Sequence, residues 1–174
     1  MVSQELYNNI LDNIKEAHLK LGYSESAISL NYQKRSLCHL IGDSDMKAAL
    51  EELKVFASPM LGELTFRFKE NQVRVTVPTE GVKYVAENVP EKPHLRDLIE
   101  LIKKPLVTMD QIKDVFNKYS DQVMCKATDE SGMDFVIWFG DGQPDDYRYC
   151  ICLDGLGATY HRLSKKDFQD IYNI

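Results

Sequence analysis

An α+β fold, with antiparallel sheet packed against helices, is what this sequence predicts, and three observations carry that reading. Residues 122 to 163 offer four strand-like runs broken by turn sequences at Asp129 to Gly132, Asp141 to Asp146 and Asp154 to Gly157, and such short spacings imply an antiparallel meander. LTFRFKENQVRVTVP alternates apolar and polar residues on both sides of Glu70-Asn71, the pattern of a hairpin. Leu6, Ile10, Ile14, Ala17 and Leu21 recur at three- and four-residue steps, which only a helix gathers onto one face.

The elements follow in order. The first helix runs from Ser3 to Leu21, and Gly22 stands where a C-cap would. Ala27 to Tyr32 alternates as a short strand, with Ile28, Leu30 and Tyr32 on one side. RSLCHLIG is a helical turn ending at Gly42, and Asp43 or Ser44 caps a further helix carrying Met46, Ala49, Leu50, Leu53 and Phe56. That helix is expected to end before Pro59. In the hairpin at 63 to 78, Leu64, Phe66, Phe68, Val73, Val75 and Val77 form the apolar face and Thr65, Arg67 and Lys69 turn away. TEGVKYVAENVP suits helix or strand. Pro93 opens a helix with Leu95, Leu98, Ile99 and Ile102 that stops before Pro105. Thr108 and Gln111 make a capping box for Ile112, Val115, Phe116 and Tyr119, and Ser164 with Asp167 starts a last helix that points Phe168, Ile171 and Tyr172 inward. These two starts, TMDQIKDVFN and SKKDFQDIYN, look alike as good helix starts do, and the segments before them do not match.

The whole is expected to be one α+β domain over residues 1 to 174, the alternative being a division near Pro90 to Pro93. A chain of 174 residues buries roughly two-thirds of its unfolded surface and needs no covalent staple. A net charge of −6 and an acidic isoelectric point exclude attraction to phosphate backbones or anionic lipid. The N-terminal run has acids within its apolar pattern and no basic head, so neither a signal peptide nor a membrane span is expected, and the protein is placed in the cytoplasm. There the four cysteines, Cys38, Cys125, Cys150 and Cys152, are expected as reduced thiols.

Function has few places to reside. A two-residue turn at Gly155-Leu156 pairs Cys150 with His161 and Cys152 with Thr159, while the loop from Gly140 to Asp146 pairs Phe139 with Tyr147, Ile137 with Tyr149 and Phe135 with Ile151. Alternation then makes Phe135, Ile137, Phe139, Tyr147, Tyr149, Ile151, Leu153 and Tyr160 a core face. Asp134, Val136, Trp138, Arg148, Cys150, Cys152 and His161 make a second face. Two cysteines, a histidine and Asp134 are the donor types zinc takes, yet structural zinc sites use cysteines two to four residues apart on a knuckle, so no metal is expected. A catalytic reading pairs the Cys150 thiol with His161 as base and Asp134 as orienter. No oxyanion site or nucleophile-elbow sequence accompanies it.

Between Asp129 and Asp146 stand six acids and no Lys or Arg. The loop lacks the glycine and glutamate positions of a calcium loop, so it reads as a solvated acidic contact surface for a protein partner, with Asp141, Asp145 and Asp146 at the tip and Trp138 and Arg148 beside it. His18 and His39 are expected to be partly buried structural residues, and His94, at a helix start, to be exposed. No phosphate loop, dinucleotide fingerprint or H-E-x-x-H motif occurs, and no cofactor is expected.

The run LGYSESAISLNYQKRSLCHLIG, following a single N-terminal helix, resembles a family of short bacterial proteins known only as a domain of unknown function. The resemblance covers the first quarter of the chain and implies no activity and no catalytic residues. The expectation is therefore a non-catalytic cytoplasmic binding or regulatory module, the alternative being a small enzyme working through Cys150, His161 and Asp134. An open second face would favour the enzyme, and a helix laid over it the module.

Overall fold

The computed structural model describes residues 4–42 and 44–172, and the chain parts into two compact units, Met1–Glu91 and Lys92–Ile174. The division falls in the proline break from Pro90 to Pro93. Helices and two antiparallel sheets make this an α+β protein.

Unit 1 begins with α1 (Gln4–Leu21), whose stripe Leu6, Ile10 and Ile14 is buried and whose C-cap is Gly22 at φ 93°. β1 (Ile28–Gln33) leads into α2 (Lys34–Ile41), which closes at Gly42. α3 (Met46–Leu61) is capped by the Asp45 carboxylate, which accepts from Ala48 N at 3.0 Å. Of the expected caps, Ser44 precedes the cap position, and Asp43, like Ser3 at the start of the first helix, lies outside the described residues.

The helix also runs through Pro59 rather than stopping before it. Proline there forfeits one bond, to the carbonyl of Val55, and Val55 is exposed, so water can replace the missing donor. Leu53, Ala57 and Leu61 are buried on both sides of it. Burial of three such side chains outweighs one solvated carbonyl.

β2 (Thr65–Phe68) and β3 (Gln72–Val77) form the expected hairpin, with Phe68 opposite Val73. β1 adds to the other side of β3, giving the order β1-β3-β2. Val73, Val75 and Val77 are fully buried, and Phe68 at the hairpin end is exposed. The ambiguous segment is helical, α4 (Thr79–Asn88), because Gly81, Val82 and Val85 recur at helical spacing on its buried side.

Unit 2 opens with α5 (Pro93–Ile102), Pro93 in its first turn, and α6 (Met109–Asn117), whose capping box is made as the sequence implies: Thr108 Oγ1 accepts from Gln111 N and Thr108 N donates to Gln111 Oε1. Four strands follow as a meander in the order β4-β5-β6-β7: β4 (Val123–Ala127), β5 (Phe135–Phe139), β6 (Arg148–Leu153) and β7 (Ala158–Leu163). Cys150 faces His161, Cys152 faces Thr159, Ile137 faces Tyr149 and Phe135 faces Ile151, all in the expected register. Tyr147 lies in the loop before β6 instead of pairing as a strand residue with Phe139.

Phe116 of α6 packs on Phe139 and Tyr149, with ring centroids 5.1 and 5.2 Å away, so the core face is covered from one side. α7 (Lys165–Ile171) starts at Ser164, whose hydroxyl accepts from Asp167 N. Its Phe168 packs with Met133, Val136 and Cys150 on the opposite face. Among the described residues, no helix is long and apolar enough to cross a membrane.

Candidate functional site on the four-stranded sheet

The second face is the covered one. Cys150 is 1 % exposed beneath Phe168, and burial pushes its thiol up to about 11. A thiol held protonated at neutral pH is a poor nucleophile. His161, opposite it on β7, is exposed.

Asp134, expected to orient the base, instead closes the end of the β5-β6 pair: its backbone N–H donates to Ile151 O at 2.8 Å and its carboxylate accepts from Leu153 N at 2.6 Å. Register thus brings Cys150 and His161 together, while the third member of the catalytic constellation is spent on backbone. Among the described residues, the ligand atoms of Cys150, Cys152, His161 and Asp134 do not converge on a common metal position.

The binding residues fare differently. The Arg148 guanidinium carbon lies 5.0 Å from the Trp138 ring centre, and its Nη1 donates to the Asp146 carboxylate at 3.1 Å and to the Asp146 carbonyl at 3.2 Å. Trp138, Arg148 and Asp146 therefore form one connected strip running from the sheet face onto the loop. Asp141 is exposed at the loop's far end, and its carboxylate accepts from Gln143 N at 3.2 Å, an Asx turn that fixes the tip.

Asp145 does not belong to that exposed tip. It is 7 % exposed, with Oδ2 accepting from His94 Nε2 at 2.6 Å and from the Tyr149 hydroxyl at 2.7 Å, and Oδ1 from Tyr147 N at 3.1 Å. His94 is 2 % exposed and Tyr149 not exposed at all. Both expectations, Asp145 at a wet tip and His94 on the surface, are thus corrected. The loop, which contains a cis Gln143–Pro144 bond, turns Asp145 inward to meet the first turn of α5.

The sequence held a signal for this. Asp145 shares the parity of Tyr147 and Tyr149, the core side of the strand, and His94 lies four residues before the buried Leu98 on α5. The acidic, glycine-containing turn composition around it masks that alternation.

Burial alone would raise the Asp145 carboxyl. His94, then Tyr149 and the Tyr147 N–H, more than offset it, and the group is held below the usual carboxylate range. The same carboxylate, together with burial, pushes the Tyr149 hydroxyl well above its ordinary value. An ionised acid with three donors and little exposed surface is a fastener: it ties the loop carrying Asp141 and Asp146 to α5.

Residues 3–172 match the model of a family described as a domain of unknown function from an E. rectale gene description, DUF3877, and the chain belongs to that family. None of the curated proteins and none of the solved structures compared with the chain matches it. The family brings a boundary for the fold and no activity.

Proposed function

We propose that the chain is a non-catalytic binding or regulatory module of the cytoplasm, and that it meets a protein partner through the strip formed by Trp138, Arg148, Asp146 and Asp141. The observation that carries this reading is the covering of the second face by α7, which leaves Cys150 1 % exposed beneath Phe168. The alternative, a small enzyme built on Cys150, His161 and Asp134, requires that helix to lift and the carboxylate of Asp134 to leave Leu153 N. What stays accessible is the acidic loop end at Asp141 and Asp146, backed by a largely covered Arg–Trp pair, a combination suited to steering a basic partner.

The test is affinity capture from a bacterial lysate with the parent and with Asp141→Asn/Asp146→Asn, at low and raised ionic strength, followed by identification and direct binding measurement of whatever the parent retains. A partner held by the parent and lost from the double variant, with the difference shrinking as salt rises, supports the reading. Equal binding of that partner by both proteins at low ionic strength removes the loop from the interface.

A further inference from the structure

Unit 1 keeps a separate group of buried polar side chains. Lys15 and His18, about one turn apart on α1, are each 4 % exposed. Tyr23 folds back over them from beyond the Gly22 cap: its ring centroid is 4.6 Å from that of His18, and Lys15 Nζ is 5.0 Å from the Tyr23 ring centre. Lys15 Nζ donates to the Tyr23 hydroxyl at 3.4 Å, and that hydroxyl donates onward to Glu91 Oε1 at 2.6 Å.

An ammonium group carries three donors, and this one makes a single long hydrogen bond. Neither ring nitrogen of His18 has a hydrogen-bond partner. A buried polar atom left without a partner costs about 1–3 kcal/mol, and an uncompensated buried charge more. Two apolar side chains in these positions would carry neither penalty.

We infer that Lys15 and His18, beneath the ring of Tyr23, form the donor side of a site for a small oxyanion, a carboxylate or phosphate group. An oxyanion supplies what the cluster lacks: acceptors for the ammonium and for an imidazole N–H. A cation would add to the charge of Lys15, and the nearby acid, Glu91, already accepts from Tyr23. The half-exposed ring of Tyr23 is the movable cover, hinged at Gly22, whose φ of 93° places the chain reversal directly after the helix.

The electrostatics agree with this direction. Burial pulls the Lys15 amine down against the partial support of Glu91, and burial followed by the Lys15 charge pulls the His18 imidazole down. A bound anion opposes both.

The experiment follows the His18 ring Cε1–H resonance by NMR, assigned from its loss in His18→Gln, while sodium phosphate and, in a separate arm, sodium acetate replace sodium chloride at constant ionic strength. A saturable shift with either anion, accompanied by an upward move of the His18 titration midpoint, is the expected result, and the stronger arm tells phosphate from carboxylate. Lys15→Met keeps the side-chain length without the charge and should weaken the response about tenfold or more. Far-UV circular dichroism checks that it folds, with Lys15→Gln as the second variant if it does not. No saturable response to either anion, or an undiminished response in the folded Lys15 variant, overturns the site and assigns the His18 nitrogens to buried water.

Discussion

Replacing Asp145 with alanine leaves the His94 ring, the Tyr149 hydroxyl and the Tyr147 N–H without their acceptor, in a place where the three side chains are 2 %, 0 % and 7 % exposed for His94, Tyr149 and Asp145. Each orphaned donor costs about 1–3 kcal/mol. With three donors orphaned, the expected loss for Asp145→Ala is at least about 3 kcal/mol in unit 2. At about 4–8 °C per kcal/mol for a unit of this size, melting should fall by more than about 12 °C. Trp138, the chain's one tryptophan, lies in that unit, so its fluorescence during urea unfolding reports there directly. The triple change Asp145→Ala/His94→Leu/Tyr149→Phe should recover most of the loss, since an apolar set leaves nothing unpaired. Acid should mimic the single variant: the carboxyl is held below its ordinary value, so its contribution is full above about pH 3.9 and drains away as pH falls through the lower folded value. A loss under about 1 kcal/mol for Asp145→Ala, or a triple variant no better than the single one, would refute the reasoning, because either means that water reaches the network.

Three further outcomes follow from the same geometry. His18, pulled down by burial, is neutral in folded and unfolded chains above about pH 6.5 and contributes nothing there. Below it the unfolded chain takes the proton first, so the protection of α1 amides, corrected for the intrinsic exchange rate, should fall as pH drops below about 6.5 in anion-free buffer, and His18→Leu should flatten that dependence. Cys150 should resist alkylation at neutral pH while the exposed Cys38 reacts, and Phe168→Ala should bring Cys150 closer to the rate of Cys38, as peptide mapping would show. Gly81→Ala puts a methyl 2.2 Å from the Leu61 carbonyl oxygen and 2.7 Å from Val77 Cγ1, an overlap with backbone that should cost about 1–3 kcal/mol in denaturant unfolding, and a neutral result would mean that α4 shifts freely against the end of α3.

Most of the fold was legible because it rests on local codes. Alternation and turn length were enough to place Cys150 opposite His161 and Phe135 opposite Ile151, since a slip of one residue would turn Tyr149 and Ile151 out of the core. Capping chemistry located the starts at Thr108 and Ser164. What stayed hidden depended on partners distant in sequence. β1 finds its place beside β3 only through the finished sheet, and Pro59 is tolerated because Ala57 and Leu61 are buried around it. Asp145 reads as a turn acid until His94, 51 residues away, is seen beside it. The strip of Trp138, Arg148 and Asp146 was legible by parity, whereas the fate of Asp134 was not, since its carboxylate is claimed by a backbone N–H that no side-chain pattern reveals.

A single residue, Ser164, joins the end of β7 to the start of α7. So short a tether keeps Phe168 close to its seat at all times, and a detached helix returns at an effective concentration that a separate peptide in solution can hardly equal. Cutting the chain after Leu163 should therefore uncover the sheet in a way that an added copy of the helix does not reverse at ordinary peptide concentrations. A partner able to displace α7 would have to win by contacts reaching beyond the place that Phe168 fills, and the strip from Trp138 to Asp146 borders that place.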